Sequence, residues 1–160
     1  MKHGSTIFLR GVIIFIGVAV LAFYIFALPR FAETAKEELP ELAYLRNPAM
    51  IGWYATAIPF FFALYQALKI LGYIDKRNAF SDLSVKALKR IKYSAVSISI
   101  LFSAGLPLIY FIADTEDAPG IMLIGLVIAF APIVIATFAA VLQRLLKEAI
   151  DIKTENDSTI

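Results

Sequence analysis

Ile7-Phe8-Leu9-Arg10-Gly11-Val12-Ile13-Ile14-Phe15-Ile16-Gly17-Val18-Ala19-Val20-Leu21-Ala22-Phe23-Tyr24-Ile25-Phe26-Ala27-Leu28 carries one charge, Arg10, close to its start. A helix crossing a bilayer needs about 20 mostly apolar residues, each adding about 1.5 Å of rise. This stretch meets that length, and so do residues 49–68, 93–113 and 121–142. Only Arg10 puts a charge inside any of the four. The chain is 60% hydrophobic over 160 residues, more than a soluble domain of this size can bury. The expected fold is all-α and integral to a membrane, with four transmembrane helices in an up-down-up-down bundle forming a single domain over 1–160. The spans are placed at about 7–28, 49–71, 93–113 and 121–143, with an outer loop at 29–48, a cytoplasmic loop at 72–92 and a cytoplasmic tail at 144–160.

The first stretch exceeds a signal-peptide core of roughly 7–15 residues, and Phe26-Ala27-Leu28-Pro29 is a poor cleavage site. It is expected to remain as a helix, with Arg10 snorkelling back to the headgroups.

Orientation follows from where basic residues lie. Lys2, Arg10, Lys69, Lys76, Arg77, Lys86, Lys89, Arg90, Lys92, Arg144, Lys147 and Lys153 fall on one side. Only Arg30, Lys36 and Arg46 fall on the other, with the acids Glu33, Glu37, Glu38, Glu41, Asp114, Glu116 and Asp117. Both termini and the middle loop are expected in the cytoplasm of a bacterial cell, with the spans in its plasma membrane. Tyr24, Tyr44, Trp53, Tyr54 and Tyr110 then lie near outer helix ends, and Tyr73 and Tyr93 near inner ones. The simplest role for these rings is interfacial anchoring; the alternative for Trp53 or Tyr54 is stacking on a ligand.

In the outer loop, Phe31, Ala35, Leu39 and Leu42 recur at helical spacing, and Pro40 divides the segment. Helix one is expected to project past the membrane, turn, and return through a short amphipathic piece. On the inner side the second span is expected to stop at Gly72, with a turn through Asp75 to Asn78. Ser81 then offers an N-cap hydroxyl and Asp82 an acid in the first turn. Leu83, Ala87, Leu88, Ile91 and Ala95 form one face of a helix running into span three, with Lys86, Lys89, Arg90 and Lys92 on much of the rest. Two readings of that basic face stand: contact with anionic lipid, and docking of a cytoplasmic protein. No recognition motif accompanies the charge, so direct nucleic-acid binding is not expected.

No Asp, Glu, Lys or His lies at membrane depth, which argues against proton-coupled transport. There is no Cys, and the single His, His3, lies near the N-terminus. No cofactor or metal is expected, and the outer acids are read as a solvated turn rather than a cation site. Ala95, Ser99 and Ser103 on span three, and Gly125, Ala129, Ala136 and Ala140 on span four, are small residues that allow close helix packing. That packing would lie within one subunit or form a homo-oligomer seam. Pro59, Pro107 and Pro132 are expected to kink their spans. Pro59 and Pro132 sit at similar depth, about 15 Å from the outer ends, with Thr56 and Thr137 nearby. Gln143 to Lys153 extends span four into the cytosol, with Lys147 and Asp151 paired four apart. Ser158-Thr159-Ile160 also has the form of a generic carboxyl-terminal peptide ligand.

Several strings resemble a known family: Pro-Glu-Leu-Ala-Tyr-Leu at 40–45, Ala-Ile-Pro-Phe-Phe-Phe-Ala-Leu-Tyr-Gln-Ala at 57–67 and Tyr-Ile-Asp-Lys at 73–76. Ala-Phe-Ser and Ser-Val-Lys-Ala-Leu-Lys within 79–89, Asp-Ala-Pro-Gly at 117–120 and the ending Glu-Asn-Asp-Ser-Thr-Ile complete the likeness, with Ser158 where a Leu is more usual. The chain resembles the bacterial integral-membrane family called domain of unknown function 2975. That resemblance implies four spans, no established activity, and an association with a small helix-turn-helix regulator. The expected function is a non-catalytic regulatory or sensory membrane component that contacts a cytoplasmic partner. The alternative is an immunity protein against membrane-active peptides, or a small lipid or solute carrier.

Overall fold

The computed structural model describes residues 2–158, apart from the side chains of residues 2, 3, 42 and 43. The expectations attached to His3, the Leu42 side chain, Thr159 and Ile160 lie outside the described residues. Among the described residues the chain is helical, with no strand. Helix α1 (Lys2–Ala22) passes through one π-helical turn, Phe23–Ala27, into α2 (Leu28–Glu38). A 3-10 helix, Pro40–Leu45, leads to α3 (Arg46–Ala55) and α4 (Ala57–Asp75). Then come α5 (Asp82–Ala104), α6 (Leu106–Thr115) and α7 (Pro119–Ser158).

Proline explains most of these boundaries. Its missing N–H and its ring are tolerated only in the first turn of a helix, and they disturb the turn before it. Pro29 and Pro107 each occupy the first turn after an interruption, and Pro119 is the first residue of α7. Pro59 follows the break at Thr56 by three residues. Pro132 is the exception, inside a 40-residue helix that continues through it.

Gly4–Glu38, Arg46–Asp75 and Pro119–Ser158 are each long and apolar enough to cross a membrane. The third apolar run is not one straight span: α5 and α6 are bent by 40° at their junction, where Gly105 and Pro107 weaken the helix. Only 11% of the apolar window in each long helix is buried. Phe8 and Phe15 are 70% and 73% exposed. Leaving such surface in water costs on the order of 25 cal/mol per Å², and a hydrocarbon surround removes that cost. The chain is a membrane protein.

The helices pack in chain order: α1 on α4, α4 on α5, α5 on α7, with α6 also against α7. Among the described residues α1 and α7 share no extensive interface, so the helices pack as a row of sequential neighbours. The α5–α7 seam is the most extensive. Ser99 Oγ donates to the Ala129 carbonyl at 2.6 Å, and Ala95, Ala129 and Ala136 are buried beside it. Ser103 and Ala140 are only half-buried. Gly125 serves a different contact, since a Cβ there would lie 2.8 Å from Ile109 Cγ2 on α6.

Several local expectations are corrected. Helix α4 runs past Gly72 to Asp75. The turn itself lies within the expected Asp75 to Asn78, where Arg77 takes φ 57°, Asn78 N–H donates to Tyr73 O and Arg77 N–H to Ile74 O. This is a Schellman closure. Asp117 (φ 51°) ends α6 the same way, with Ala118 N–H on Ala113 O. Ser81 stands at the N-cap, yet its hydroxyl donates back to Asn78 O at 2.7 Å. On α5 the buried face begins at Ser84 and Ala87 while Leu83 is exposed, so the face is rotated from the expected one. On the α7 extension the ion pair four apart is Arg144–Glu148 at 3.6 Å, not Lys147–Asp151.

Candidate functional site

Two helix interruptions meet at a cleft. The π turn at Phe23–Ala27, the break at Thr56 and the end of α5 at Ile98 and Phe102 surround a space of about 210 Å³. Val20, Phe23 and Tyr24 form one wall, Trp53, Thr56 and Phe60 the floor, and Ile98 and Phe102 the other wall. The cleft is the gap left where α1 and α5 flank the α3–α4 rod. Trp53 meets the Phe102 ring edge-on, with centroids 5.2 Å apart, and Phe23 at 6.3 Å.

The hydrogen bonds here follow from the broken backbone. In the π turn, Leu28 N–H bonds Phe23 O, five residues back. Tyr24 O therefore loses its usual donor, and the next in line, Pro29, has no N–H. Tyr54 Oη fills the vacancy, donating to Tyr24 O at 2.8 Å. Thr56 Oγ1 donates to Trp53 O at 2.5 Å. A hydroxyl has one hydrogen, so in the 2.5 Å contact between Tyr24 Oη and Thr56 Oγ1 the tyrosine is the donor. Backbone polar groups at membrane depth must be satisfied within the protein. Here the hydroxyls of Tyr54 and Thr56 bond backbone carbonyls, and Tyr24 Oη ties the two together through Thr56 Oγ1.

At the far end of the same rods, Arg10 Nη2 lies 2.9 Å from Asp75 Oδ2, and Thr6 Oγ1 donates to Asp75 Oδ1 at 2.6 Å. Arg10 is thus paired with α4 rather than simply extended to headgroups. On α5, Lys86, Lys89 and Arg90 are exposed and Lys92 is half-buried. Lys89 and Lys92 Nζ stand 6.0 and 4.9 Å from the Tyr93 ring centre, and Lys69 Nζ is 5.2 Å from the Tyr65 ring. These are cation–π distances that hold the ammonium groups beside interfacial tyrosines.

The sequence placed Thr56 beside Pro59 and gave no role to Pro29, whose signal was a proline with no helix stop before it. Pro132, at similar depth to Pro59, has no part in the cleft, which takes no lining from α7. Thr137 instead donates to Ile133 O at 2.9 Å on an exposed face. Gln66 also escaped notice. It is 2% exposed on α4, and its Oε1 has no hydrogen-bond partner. A second, wider groove of about 490 Å³ lies between α6 and α7, with Asp114 and Asp117 along it.

Residues 30–160 match the family model described as protein of unknown function DUF2975. The chain belongs to this family. It is also 58% identical over 160 residues, the full length of both chains, to the uncharacterized membrane protein YoaS of Bacillus subtilis (strain 168). No solved structure matches the chain.

Proposed function

We propose that this family member is a non-catalytic regulator in a bacterial plasma membrane, with four crossings, both termini in the cytoplasm, and a cytoplasmic protein as its partner. The observation that carries the reading is the continuity of α5. One uninterrupted helix, Asp82–Ala104, presents Lys86, Lys89 and Arg90 at one end and walls the cleft with Ile98 and Phe102 toward the other. A shift at the cleft would move the basic face with it, because a helix held by internal hydrogen bonds transmits rotation along its axis. The basic bias toward that end supports its cytoplasmic placement. The family resemblance makes a helix-turn-helix regulator the first partner to test, with the anionic lipid leaflet as the competing surface. Protection against membrane-active peptides, or lipid carriage, is the second reading, favoured by the partly open cleft.

The deciding experiment replaces Lys86, Lys89, Arg90 and Lys92 with Gln. Gln forms helix nearly as well as Lys, so α5 should survive. Regulation through α5 predicts normal insertion, loss of the partner in a pull-down and altered output of the regulated genes. Wild-type capture and output from an inserted variant would reject docking at this face. A deletion strain sensitised directly to membrane-active peptides would favour the second reading.

A further inference from the structure

The cleft has an unusual inventory of free valences, and that inventory says what it can hold. Its lining contains no charged side chain. The hydroxyl hydrogens of Tyr24 and Thr56 are already committed, and so is that of Tyr54 just behind them. That leaves no hydroxyl in the walls free to donate to a phosphate, carboxylate or sugar, and the Trp53 indole N–H is the one donor in the lining without an acceptor. What remains is aromatic and aliphatic surface from three separate rods, two of them interrupted at this level by the π turn and the break at Thr56. At about 210 Å³, the space exceeds the about 150 Å³ apolar cavity that accommodates benzene in a soluble protein. It suits a few methylenes and excludes a headgroup. Pockets of this kind are selected by shape and apolarity, with polar groups only fixing orientation.

We propose that the cleft binds the end of one hydrocarbon chain of a membrane amphiphile, entering sideways from the bilayer between α1 and α5. The site is uncharged and its hydroxyl hydrogens are committed, so it discriminates by chain rather than by headgroup. The inference rests on the cleft alone and is indifferent to whether α5 docks a partner.

Trp53 is the only tryptophan in the chain and forms part of the floor, so its emission reports occupancy directly. The full-length protein would be reconstituted in phosphatidylcholine vesicles and titrated with free dibromostearic acid. A parallel series would raise the fraction of phosphatidylcholine with dibrominated chains. Bromine quenches only on close approach. A chain site predicts saturable quenching, reversed by excess unbrominated stearic acid or phosphatidylcholine. Saturation in the first arm identifies a free fatty acid, and saturation in the second alone identifies a phospholipid chain. Val20→Phe, and separately Ile98→Phe from the facing wall, should fill the cleft and remove the saturable component. If either variant fails to fold, the competition measured on the wild-type protein decides. Quenching that rises in simple proportion to bromine content, unchanged by competitor, would overturn the proposal, since Trp53 would then meet only bulk lipid. So would an absence of bromine quenching, or strong quenching by aqueous iodide, which would mark a water-filled cavity.

Discussion

Arg10 and Asp75 form an ion pair across the interface of α1 and α4, with Nη2 and Oδ2 at 2.9 Å. The pair lies where the first apolar run begins, and it answers how that run tolerates a charge. Among the described residues α1 packs chiefly on α4, and the pair fixes its register at one end as Tyr24 and Thr56 do at the other.

A double-mutant cycle with Arg10→Gln and Asp75→Asn should therefore show positive coupling. The Arg10 side chain is 40% exposed, so the coupling is expected to be about 1 kcal/mol rather than a buried-pair value. Thermal unfolding in a fixed detergent measures it, and additive effects of the two changes would refute the tie.

Tyr54→Phe deletes the donor that Tyr24 O receives in place of a backbone N–H. Stability should fall by about 1–2 kcal/mol, the cost of an unpaired buried acceptor. Pro29→Ala restores an N–H to the π turn, so it should reduce the penalty of Tyr54→Phe. Equal penalties in both backgrounds would disprove the repair mechanism.

Gln66→Met and Ser84→Ala both remove a buried polar atom that has no partner. Neither should destabilise, and each is expected to be neutral or to stabilise by up to about 1 kcal/mol. A marked fall in melting temperature for either would mean that the polar atom is satisfied in the working protein.

The chain has no cysteine, so orientation can be mapped with single thiols. Lys36→Cys and Glu116→Cys should react with an impermeant maleimide in intact cells. Asn78→Cys and Glu155→Cys should react only after lysis. The reverse pattern would invert the orientation.

The four apolar runs were legible because a bilayer asks only for length and apolarity, and Pro59 and Pro107 were visible as points of weakness. The packing order was not legible. Helix α1 is apolar on every side, so no stripe marks which face meets α4; the face that does so carries Gly17, against Leu64 and Phe61. The cleft was hidden for another reason. Tyr24, Tyr54 and Thr56 resemble ordinary interfacial or helix-bonded hydroxyls until the π turn before Pro29 orphans a carbonyl, and only folding brings Tyr54 to it.

Helix α7 has 40 residues, about 60 Å at 1.5 Å each and roughly twice the hydrocarbon thickness. Its emergent half is therefore clocked to the half that packs on α5. Each residue inserted between Gln143 and Arg144 would swing everything beyond by about 100°, whereas seven would bring Ile152 back to nearly the same azimuth. The exposed end of the chain carries an angular memory of the Ser99–Ala129 seam.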